Sequence, residues 1–189
     1  MSDVYNSYLK MRDQYFGSDG VATAEDMLNI LVLVSMVAIY GMDRTSYDQL
    51  QKSNNVAGQA IKLDSATQIL ALIGATLAVL RIAVHRFMKD NPIVELLFSL
   101  IVWTIFLVVI IVSSQNNTSI NNAINAISPN PTPAPSTNVV SQANLLNLAL
   151  SNSTAELNWA IVGFVVTTIY TVSCVFRIVY APSAAPPSE

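Results

Sequence analysis

Positive charge is missing from the middle of this chain: between Ser113 and Glu156 more than forty residues pass without a lysine, arginine or histidine. A cation-free segment with apolar runs on both sides is the kind that insertion machinery passes across a bilayer. Charge of either sign is scarce throughout. Asp, Glu, Lys and Arg make up 11% of the 189 residues, against about a quarter in soluble domains, and this argues against a water-soluble monomer. With a net charge of -3 and no basic tract, the chain lacks the electrostatic footprint of nucleic-acid binding.

Other absences narrow the chemistry. A lone cysteine, Cys174, rules out an intramolecular disulfide. His85 is the single histidine and has no cysteine nearby, so a zinc or haem site built from such ligands is not expected. No GxSxG turn, phosphate-cradling glycine loop or HExxH occurs. The expectation is a protein that is not an enzyme, with no catalytic residues, no cofactor, no metal and no small-molecule substrate. The first residues contain acids and aromatics but no apolar core of signal-peptide type, so the first span is expected to direct insertion.

What the chain does have is apolar sequence, 52% of its residues, with a mean hydropathy of +0.48. About 20 mostly apolar residues cross about 30 Å of hydrocarbon, and four segments qualify. Their expected bounds are 23–42, 65–88, 91–112 and 153–180. Thr23 with Asp26, Ser65 with Gln68 and Ser153 with Glu156 have the three-residue spacing of capping boxes, and Asn91 caps a helix with Pro92 at its first position. Trp159 and Tyr180 stand 21 residues apart, about 31 Å at about 1.5 Å per residue, the separation of two aromatic belts. The expected fold class is all-α: an integral membrane four-helix bundle with an N-terminal amphipathic helix and a long polar outer loop.

Between the spans, residues 1–22 carry a tyrosine-rich face (Val4, Tyr8, Met11, Tyr15) that GSDG at 17–20 should interrupt. Residues 43–64 read as a polar connector. Residues 113–152 read as an Asn/Ser/Pro-rich loop with short helices near Ile120 to Ile127 and Val139 to Leu150, and 181–189 as an extended tail. Asn116, Asn117 and Asn152 fit the N-glycosylation pattern. Six cations fall on the side of the termini and three on the other, which puts both termini in the cytoplasm or its equivalent and residues 113–152 opposite.

Two features of the spans suggest contacts. Small residues repeat at four-residue intervals in Ala71 with Ala75 and Gly74 with Ala78, and along Gly163, Thr167 and Thr171, so these two faces are expected to form the bundle's seam. The span with Phe98, Trp103 and Phe106 should then face lipid or a partner. Ionisable groups near the cytoplasmic ends include Asp26, Arg81, His85, Arg86, Glu95 and Arg177, and Glu95 is a partner for Arg81 or Arg177. No titratable group is expected at mid-bilayer.

The loop lacks the cysteines of tetraspanins and claudins. Its run from SSQNNTS to PNPTPAPST, beside plain apolar spans, resembles small membrane-embedded structural proteins (minor capsid or inner-membrane proteins) of large icosahedral double-stranded DNA viruses. That resemblance is compositional and implies a virion location, with the loop gripping capsid proteins. Three functions fit: a structural or assembly protein that anchors neighbouring subunits of a large complex to a lipid bilayer, a pore or transporter, and an accessory subunit of a respiratory or photosynthetic complex.

Overall fold

The computed structural model describes Ser7 and residues 17–53, 58–88, 91–127 and 137–180. They form four helices: α1 (Gly17–Lys52), α2 (Gly58–Met88), α3 (Pro92–Ile127) and α4 (Thr137–Tyr180). The tyrosine-rich segment, the Pro-rich elbow and the C-terminal tail lie outside the described residues, as do the side chains of His85 and Arg86.

All four helices are long and apolar enough to cross a membrane. They also outlast it. At about 1.5 Å per residue, the 36 residues of α1 and of α3 extend about 54 Å and the 44 of α4 about 66 Å, against about 30 Å of hydrocarbon. α1 packs on α2 and α4, and α3 packs on the same two, so successive helices run up and down around a closed ring.

Several expected boundaries move for one reason. The start at Asn91 and Pro92 is present, with the amides of Val94 and Glu95 donating to the Asn91 carbonyl at 3.1 and 3.3 Å. Thr23, Ser65 and Ser153, by contrast, lie inside helices that begin at Gly17, Gly58 and Thr137. A capping box and a single helix face share the same three-residue spacing, and Ser153 and Glu156 use it to point into the bundle, where both are fully buried. GSDG lies within α1 as described from Gly17.

The connector shrinks from 43–64 to the link after α1, and the outer loop from 113–152 to the link between Ile127 and Thr137. Apolar residues from both stretches build a second core: Leu50, Ala60, Ile120, Ala123, Leu146 and Ala149 are buried together, with Ile61, Ile124, Ile127 and Leu150 against them. The first core, in the apolar halves of the helices, gathers Val32, Met36, Ile39, Ala71, Ala78, Val102, Phe106, Val109, Ala160 and Val166.

The small-residue faces do not meet. α2 and α4 sit across the ring from one another, so each receives a large side chain from a neighbour. A Cβ on Gly74 would lie 2.6 Å from the Met36 thioether, and one on Gly163 would run into the Phe106 ring. Ala71 and Ala78 are buried beside Met36 in the first core, and Ala75 packs partly buried against it. The Thr167 and Thr171 hydroxyls donate to carbonyls of their own helix, those of Gly163 and Thr167, at 2.8 and 2.7 Å. This back-bonding satisfies the hydroxyls without a cross-helix bond. Phe106, expected to face outward, is fully buried because Gly163 leaves room for its ring. Trp103 turns inward in part, its Nε1 donating to Thr168 Oγ1 at 3.0 Å and its ring 5.1 Å from that of Phe164.

Candidate functional site

The two cores are separated by a buried polar layer. Continuing the inward face of each helix past its apolar half leads to Asp43 and Ser46 on α1, Asp64 and Thr67 on α2, Ser113 and Asn116 on α3, and Ser153 and Glu156 on α4. All eight are buried. Each helix contributes two residues three apart, so the layer is one turn thick and spans the bundle.

Three carboxylates dominate it. Asp43, Asp64 and Glu156 each present an oxygen within 4.8 Å of one another. Ser113 Oγ donates to Glu156 Oε1, and Asn116 Nδ2 donates to Asp64 Oδ1 and, at 3.2 Å, to Ser153 Oγ. Ser46 lies beside Asp64 and Gln68 beside Asp43. Both oxygens of Asp43, Oδ2 of Asp64 and Oε2 of Glu156 are buried with no donor in hydrogen-bond geometry, and so is Oδ1 of Asn116. Among the described residues the charges acting on these carboxylates are those of the other carboxylates, with no arginine or lysine between them. Buried like charges this close cannot coexist unneutralised.

The outward surface changes at the same level. On the apolar side of the layer the exposed residues are large and hydrophobic, among them Val37, Ile69, Ile111 and Ile161. At its level they are Arg44, Thr45, Ser114, Gln115 and Thr154, with Lys62 just beyond it. The polar layer therefore marks where the bundle's flanks pass from apolar to wettable.

A second polar layer closes the other end of the apolar half. Arg177 Nη1 lies 2.7 Å from Glu95 Oε2, with the Glu95 side chain fully buried and that of Arg177 28% exposed. Arg81, 2% exposed, stacks its guanidinium over the Tyr170 ring at 3.7 Å from the centroid. Glu95 thus takes Arg177 across helices, while Arg81 faces an aromatic ring. Glu156 and Arg177 lie 21 residues apart on α4, about 31 Å, so the two layers bound a slab of bilayer thickness.

The sequon asparagines are part of this architecture. Asn116 is 1% exposed and hydrogen-bonded inside the outer layer, which leaves no room for a glycan. Asn152 Nδ2 donates to Gln49 Oε1 at 3.1 Å, and Asn117 is half-buried on α3.

The outer layer was missed from sequence because a charged residue usually ends an apolar run, which put Asp43 and Asp64 in a connector and Glu156 in a cap. The signal that would have found it is the unbroken three-and-four spacing through the charges: Asp43, Ser46, Leu50 on α1, and Leu146, Ala149, Ser153, Glu156, Ala160 on α4. The fold and its two layers define a class, a four-helix bundle compatible with a multi-pass membrane protein. No protein-family model, curated protein or solved structure matches the chain.

Proposed function

We propose that this protein is a non-enzymatic, multi-pass membrane protein with a structural role, which presents the outer half of its bundle as a rigid post to neighbouring proteins of a large assembly. The observation that carries this reading is the second core, which continues the bundle as packed helix beyond the level where its flanks turn polar. A post of this kind holds neighbours at a fixed height above lipid without the entropy cost of ordering a loop. The cation asymmetry supports cytoplasmic or equivalent termini, with the post on the opposite side. A virion membrane beneath a capsid is one setting for such a post, suggested by the composition around the Pro-rich elbow.

The test is chemical crosslinking with mass spectrometry on the native membrane or particle. Crosslinks from the outer ends of α3 and α4 to a defined set of other proteins are expected, and an outer half that crosslinks to nothing but its own chain would overturn the reading. Sidedness is checked with single cysteines in a Cys174→Ala background: an impermeant maleimide added outside sealed cells should label Asn125→Cys and spare Asn91→Cys. The buried carboxylates favour a second reading, cation translocation, and ion flux in liposomes containing the purified protein is the measurement that would establish it.

A further inference from the structure

We propose that the outer polar layer is a binding site for one hard divalent cation of the Ca2+ class, held by Asp43, Asp64 and Glu156 with the Asn116 carbonyl oxygen as a neutral ligand. The proposal stands independently of the anchoring role.

The donor set is all oxygen, three carboxylates and an amide carbonyl, with hydroxyls of Ser46, Ser113 and Ser153 around them. Oxygen-only sets select Ca2+, Mg2+ or Mn2+ over softer metals, and the absence of histidine and thiolate from the layer argues against zinc and copper. Spacing fits as well. Ligands about 2.4 Å from a shared Ca2+ ion lie up to about 4.8 Å from each other, and one oxygen from each acid falls within that separation of the others.

Asn116 adds a neutral donor group to the three acids. Its amide is turned into the layer, where Nδ2 donates to Asp64 and Ser153, and this fixes which end is the donor. The carbonyl oxygen is thereby left buried in the same layer with no donor of its own. With the four donorless carboxylate oxygens it makes five buried acceptors gathered in one layer. A buried acceptor without a donor costs about 1–3 kcal/mol, and one cation satisfies several at once. It also cancels two of the three negative charges. The remaining charge is solvated by Ser113 on Glu156 and by the Asn116 amide on Asp64.

Each helix supplies at least one of these groups, so a bound ion ties all four together at the junction between the two cores. The site serves as a staple, and its occupancy should register as thermal stability.

The experiment uses the full chain purified in detergent, stripped with EDTA and exchanged into metal-free buffer, then titrated calorimetrically with CaCl2, MgCl2 and MnCl2 in separate runs and melted with and without each ion. The expected result is one Ca2+ or Mn2+ per chain and a melting temperature raised by about 5 °C or more at saturating ion. Asp43→Asn, Asp64→Asn and Glu156→Gln should each abolish the shift. Because they relieve repulsion they should melt no lower than the metal-free wild type, so lost binding is distinguishable from lost fold. Asn116→Ala should weaken binding about tenfold, and Asp48→Asn, at an exposed i,i+4 pair with Arg44, should bind like the wild type. The proposal is overturned if no ion produces heat or shifts the wild-type melt, if acid alone stabilises the wild type with no response to any ion, or if binding persists unchanged in Asp43→Asn and Asp64→Asn.

Discussion

Gly163 and Gly74 look alike in sequence, each one of a pair of small residues four apart, yet their neighbours make them unequal. A methyl at Gly163 meets the edge of a buried phenyl ring held between helices, whereas one at Gly74 meets the end of a methionine, which has three rotatable bonds to move aside. Gly163→Ala should therefore lower stability by about 1–3 kcal/mol and Gly74→Ala by less, measured as thermal unfolding in detergent. Equal melting temperatures for the two variants would mean that the Phe106 ring is free to shift. The ion pair at the opposite layer makes a second residue-scale prediction. Arg177→Gln removes the cation 2.7 Å from the fully buried Glu95 carboxylate and should cost about 2–3 kcal/mol, less than the about 3–5 kcal/mol of a fully buried pair because Arg177 is partly solvated. Adding Glu95→Gln should recover part of that loss, and a double-mutant cycle with no coupling would contradict the pairing.

At the scale of the element, the lengths of α3 and α4 carry the consequences. Residues 113–127 and 137–152 are continuous helix packed around Ile120 and Leu146, so their amides should exchange with deuterium far more slowly than those of an open loop. Ile120→Asp should release that protection in the outer half while leaving the apolar halves protected. Glycan mapping after expression in a glycosylating host should find Asn116 unmodified, since its side chain is sealed between helices.

Much of this was legible in the sequence. Four apolar runs gave four helices, Asn91 with Pro92 gave a helix start to the residue, and Ile120, Ile124 and Ile127 showed the spacing of a buried face. What misled was composition: asparagine and serine are poor helix formers, and an Asn/Ser-rich stretch reads as loop unless tertiary contacts hold it, as the second core does here. The pairing of Phe106 with Gly163 could not be read at all, because no one-dimensional pattern states which two helices are neighbours and which are opposite. The carboxylate layer was hidden for a related reason, its members being dispersed over four helices and more than a hundred residues.

For the whole molecule, the two polar layers fix a slab of about 31 Å in which the flanks are apolar. Reconstituted into bilayers of graded acyl length, the protein should be most stable where hydrocarbon thickness matches that span, with melting temperature falling in both thinner and thicker lipid. A flat dependence on thickness would indicate that the apolar flanks are covered by protein and not by lipid.

The outer layer is also divided between two hairpins. Asp43 and Asp64 belong to the first, α1 with α2, and Asn116 and Glu156 to the second, α3 with α4. Neither hairpin owns a complete set, so the acids of each stay unmatched until the two halves dock in register. A slip of one turn, about 5.4 Å, would bring a carboxylate against leucine or alanine of the second core. Correct assembly is thus checked once, at a single height, by groups that tolerate no other neighbour.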